Sequence, residues 1–146
     1  MENNGYKKHE TFTTYEVNDR KFIINAYDPM TGNYILMQVL TFVLPMGLGK
    51  ELGKQTGTET KVPSVVTENA KLMPKEDFIN LQKDILSTVY EEMPGGHRSP
   101  VLRDNGTYGV NDVTMGLVLK LLVASLAFNF KDFFEEFQSI EEFMNH

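Results

Sequence analysis

A chain of 146 residues suits one compact domain, which can bury about 68–70% of its unfolded surface without help from a disulfide or metal. It has no cysteine, which excludes disulfides, thiolate metal sites and a cysteine nucleophile, and fits a reducing compartment. A net charge of −6 disfavours nucleic acid and anionic membrane surfaces, because the one basic tract, Lys7-Lys8-His9, is too short to gather phosphates.

Residues 1–11 are polar and read as a disordered tail, with no apolar segment of the kind a signal peptide needs. The single globular domain is expected over 12–130. It opens with a β-hairpin over 12–27, where two β-rich runs flank the turn-forming Asn18-Asp19-Arg20. Asp28-Pro29 stops the second strand. Thr31, Gly32 and Asn33 offer N-caps for a helix over 34–44 that is apolar on nearly every face. Four glycines mixed with lysine, glutamate and threonine make 47–63 a flexible loop, or a segment that orders on a partner.

Pro74 at a first helical turn, followed by Glu76 and Asp77, opens a helix over 75–92. Phe78, Leu81, Ile85, Val89 and Glu92 follow three-and-four spacing along it, and Pro94-Gly95-Gly96 ends it. Asn105-Gly106 predicts a small hairpin over 97–110. Asn111 or Asp112 is placed to cap a long apolar helix over 112–128. A membrane span there is disfavoured by Lys120 in its middle, which costs about 2.5–3.5 kcal/mol on insertion. That helix is apolar on more faces than a small monomer easily covers, so self-association is expected.

Residues 131–146 read as an acidic amphipathic helix. Phe133, Phe137, Ile140 and Met144 recur at helical spacing, while five acids and one lysine give −4 of the chain's −6. Six phenylalanines fall between 128 and 143. Such a stripe serves core packing more often than partner contact, and packing is the first reading for Phe128, Phe130 and Phe133. The candidate partner-binding set is Phe133, Phe134, Phe137, Ile140, Phe143 and Met144. The fold class expected is helix-dominated α+β, with the N-terminal β-hairpin packed on a small helical bundle.

Catalytic and cofactor signals fail one by one. Gly47-Leu48-Gly49-Lys50 and Gly53-Lys54-Gln55-Thr56 lack the glycine spacing and the hydroxyl of a phosphate loop. His9, His97 and His146 have no partners at metal-ligand spacing, and the acids of 104–112 do not match a calcium loop. Adjacent acids such as Glu91-Glu92 diverge on a helix. No enzyme activity, cofactor or metal is expected.

Two stretches carry a family resemblance. Tyr15-Glu16-Val17-Asn18-Asp19-Arg20-Lys21-Phe22 resembles the F-x-V-N-G-K-x-F opening of tail assembly chaperones of long-tailed bacteriophages, those of Gram-positive hosts in particular. Asp19-Arg20 replaces the usual glycine–lysine pair. The junction Leu126-Ala127-Phe128-Asn129-Phe130-Lys131-Asp132-Phe133-Phe134 is the most family-like element, and the resemblance spans about residues 12–136. It implies a non-enzymatic protein of the host cytoplasm that binds the tape measure protein, keeps it soluble and helps recruit tail tube protein. Neither nucleic acid nor membrane is an implied partner. The alternative is a structural tail-completion or adaptor subunit retained in the virion, a role for which the 47–63 loop would order during assembly.

Overall fold

The computed structural model describes residues 10–43 and 73–136, with side chains to 41 in the first stretch and to 133 in the second. The expected tail up to residue 9, the 47–63 loop and the terminal segment from 137 lie outside them, whereas Thr11, expected in the disordered tail, is tied by its carbonyl to the Ala26 N–H. The fold is α+β: strands β1 (Phe12–Val17), β2 (Arg20–Asn25), β3 (Val89–Glu92) and β4 (Arg98–Pro100) form one antiparallel sheet in that order. Helices α1 (Pro29–Gln38), α2 (Lys75–Leu86) and α3 (Met115–Glu136) accompany it.

The hairpin owes its turn to Asn18 and Asp19, both left-handed at φ 56 and 61. Two such residues make a type I′ turn, whose twist matches the flanking strands. Arg20 is therefore the first residue of β2 and not part of the turn. Thr13, Tyr15 and Val17 face the core from β1, and Phe22 and Ile24 join them from β2.

Several boundaries differ from the sequence reading, each for a local reason. The first helix begins at Pro29, five residues earlier than its apolar run suggested. Asp28 caps it, its carboxylate accepting from the Met30 and Thr31 N–H groups at 3.2 and 3.3 Å, with proline at the first helical position. The helix then loosens into a π turn over Val39–Val43. Only one of its faces is buried, through Gly32, Ile35, Val39 and Leu40.

The second helix ends at Leu86, and what read as its last turns is strand β3. Ser87 and Thr88 fold their hydroxyls back onto the Asp84 and Ile85 carbonyls, each at 2.8 Å, and the chain leaves the helix there. Val89 and Glu91 then face the core, opposite Ile24 and Phe22 of β2. The hairpin is thus half of a sheet rather than a separate layer on a bundle. Pro94-Gly95-Gly96 is the turn between β3 and β4, with Gly95 at φ 90 and the Gly96 N–H donating to the Met93 carbonyl at 3.0 Å.

The expected hairpin over 97–110 is shorter and differently used. β4 pairs with β3, and Leu102 and Tyr108 form a single bridge across the Asn105-Gly106 loop. Gly109 passes so close to the Pro100 carbonyl that any Cβ there would collide with it. The third helix is capped by Thr114, not by Asn111 or Asp112: its Oγ1 accepts from the Leu117 N–H at 3.1 Å. α3 passes through the core, with every residue from 121 to 127 buried, and packs against α2 and β2. It does not stop at 128 but continues to 136 through a kink at Phe130 (φ −117, ψ 15). Its second half is covered within the chain, whereas Met115 and Leu119 in its first turns stay exposed.

Candidate functional site

The phenylalanine-rich junction is mostly interior. Phe130 is buried, and Phe128 and Phe133 are half-buried against the core. Around them lies a polar bolt between α3 and the end of β2. The Tyr27 hydroxyl and Ser125 Oγ are 2.7 Å apart, the Tyr27 N–H donates to Asn129 Oδ1 at 2.8 Å, and Asn129 Nδ2 donates to the Ser125 carbonyl at 3.0 Å. Tyr27 also meets Phe130 edge-on, 5.7 Å between ring centres. The Asn129 amide thus engages the Ser125 carbonyl one residue before the kink at Phe130. Burial pushes the Tyr27 phenol above its ordinary range, opposed in part by the bonds to Ser125 and Asn129.

Of the six residues expected to bind a partner, Phe133 packs on the core. Phe134 lies in α3 with its side chain outside the described residues, as do Phe137, Ile140, Phe143 and Met144 altogether. An accessible apolar surface among the described residues lies elsewhere.

That surface is an open groove of about 430 Å³ between α2 and the first half of α3. Phe78 and Gln82 line it from α2, Met115, Val118, Leu119 and Leu122 from the start of α3, and Tyr108 and Val113 from the preceding loop. Met115 is 91% exposed, Tyr108 52% and Leu119 45%. Methionine and leucine one turn apart on a rigid helix present adaptable apolar contacts. Sequence reading missed them because Met115 and Leu119 sit in a helix whose whole run looked buried. Their spacing of four, on the side away from Leu117, Leu121 and Ala124, was the available signal.

The groove is lined mainly by apolar side chains. Its polar groups are the Gln82 amide and the Thr114 and Tyr108 hydroxyls, and Thr114 is engaged as a helix cap. Among the described residues no group of three or more histidines, cysteines or acids could hold a metal, and no helix is long and apolar enough to cross a membrane.

A family model described as phage tail assembly chaperone protein matches residues 18–141. The chain belongs to the phage tail assembly chaperone family. The matched span runs from the Asn18-Asp19 turn and covers the residues of the groove and the junction. No curated protein and no solved structure matches the chain. As a tail assembly chaperone, the protein acts through protein partners in tail assembly.

Proposed function

We propose that this tail assembly chaperone binds the tape measure protein and keeps it soluble until the tail tube forms around it. The observation that carries the reading is the groove between α2 and α3, apolar along its floor and open to solvent at Met115, Leu119 and Tyr108. Its α3 wall from Met115 to Leu122 is about 10 Å long, enough for about two turns of a client helix. An amphipathic helix laid there would bury side chains three and four residues apart while its polar face stayed in water. Such segments are what a long helical tape measure exposes before assembly. The reading is non-enzymatic and places the protein in the host cytoplasm.

The test is co-expression with the tape measure protein of the same genome, followed by capture of the soluble complex. The full chain should recover soluble tape measure, and Met115→Glu with Leu119→Glu should not. A chain truncated after Asp132 separates the groove from the terminal phenylalanines: recovery by the truncation assigns the client to the groove, and loss moves it to 133–146. Recovery by no form would favour the structural-subunit alternative, which purified virions containing the chain would support.

A further inference from the structure

The two edges of the sheet are built differently. β4 is three residues long and ends in Pro100, which has no N–H to offer a further strand. β1 is six residues long, without proline, lysine or bulge, and its register with β2 is unbroken from Phe12↔Asn25 to Val17↔Arg20. Natural proteins blunt long flat edges unless the edge is used. Of the two described edges, β4 is cut short and closed by a proline, whereas β1 carries only the charge of Glu16.

The free groups on β1 can be assigned. The Ala26 N–H donates to the Thr11 carbonyl at 2.8 Å, so Thr11, Thr13, Tyr15 and Val17 turn their main-chain groups toward β2. Phe12, Thr14 and Glu16 therefore turn theirs outward, and all three are exposed. We propose that β1 pairs antiparallel with β1 of a second copy, with Thr14 opposite Thr14, joining two four-stranded sheets edge to edge.

Charge and geometry select this occupant and register. Pairing centred on Thr14 sets Phe12 opposite the second copy's Glu16 and engages all three outward residues of each copy. Centring on Glu16 would oppose two carboxylates, which destabilises a strand pair, and would run the ladder into the turn. Glu16 already lies opposite Lys21 within its own copy, so the seam gains no unanswered charge. The 49%-exposed Phe12 ring would be covered in part by the neighbouring strand. A seam of one strand is small, so a concentration-dependent dimer is expected.

The experiment is sedimentation of the full chain over a concentration series, with Thr14→Lys and Thr14→Glu beside the wild type. The wild type should show a monomer–dimer equilibrium. Each variant alone should raise the dissociation constant about fivefold or more, and their equimolar mixture should restore pairing because position 14 faces itself. Position 14 is exposed, and an unchanged melting temperature of each variant at low concentration verifies the monomer fold. A wild type that is monomeric at every soluble concentration would overturn the proposal. So would a dimer that neither variant weakens, or a mixture that fails to restore pairing.

Discussion

Arg20 grips both carboxylate oxygens of Glu91, its Nε 2.9 Å from one and a terminal nitrogen 2.8 Å from the other. Glu91 faces the core from β3 and is 7% exposed, so the fold depends on its having a partner. The guanidinium also donates to the Asn111 and Asp112 carbonyls at 2.7 and 3.2 Å and lies 5.3 Å from the centre of the Phe22 ring. One side chain thus ties β2, β3 and the approach to α3. The bond to Glu91 holds the Arg20 pKa above its ordinary value, against the opposing effect of burial.

Replacing Arg20 by lysine keeps the charge but cannot reproduce the fork or serve the two carbonyls together. Arg20→Lys should cost about 1–2 kcal/mol, and Arg20→Ala, which leaves Glu91 buried and unpaired, about 3–5 kcal/mol. Urea unfolding at neutral pH measures both. Equal losses would mean that the charge alone matters.

Tyr27→Phe removes the partner of Ser125, a fully buried hydroxyl, and should cost about 1–2 kcal/mol. Adding Ser125→Ala should return part of that loss, since the unsatisfied group goes with it. A double variant no better than the single one in thermal unfolding would refute this.

The same tyrosine predicts an alkaline limb. Its folded pKa is raised by burial above the ordinary value of about 10, so its contribution is fully present below pH 10. Above that the unfolded chain releases the phenolic proton while the folded chain keeps it. Stability should then fall by up to about 1.4 kcal/mol per pH unit from this residue, and Tyr27→Phe should remove that component of the slope. Denaturant midpoints at pH 8 to 11 follow it.

Asp19 holds a left-handed φ of 61 at the turn position where the family opening usually carries glycine. Asp19→Gly should relieve that strain and stabilise the protein by about 0.5–1 kcal/mol, net of glycine's greater freedom when unfolded. A destabilised variant would show that the aspartate side chain supports the turn.

Met115→Glu and Leu119→Glu alter exposed positions and should shift stability by no more than about 0.5 kcal/mol each. Their effect should appear in client recovery instead. Loss of client together with loss of the fold would remove the groove's claim to be a binding site.

The chain itself determined whatever rests on neighbours in sequence. Asn18-Asp19 between two alternating runs fixed the first hairpin, and the apolar spacing of Phe78, Leu81 and Ile85 fixed the body of α2. The junction around Asn129 was legible as the family's most characteristic stretch, and Phe128, Phe130 and Phe133 as packing residues.

Tertiary structure decided the rest. Val89 and Glu92 continue a helical spacing by coincidence, and the segment becomes a strand because β2, more than sixty residues away, offers a ladder and Arg20 offers Glu91 a partner. Tertiary packing also decided which apolar residues of α3 remain exposed. A run such as Met115-Gly116-Leu117-Val118-Leu119 states that burial is favourable, but not where the protein's own surfaces end. Burial is set by contacts distant in sequence, so the groove at Met115 and Leu119 emerges only once α2, Tyr108 and α3 stand together.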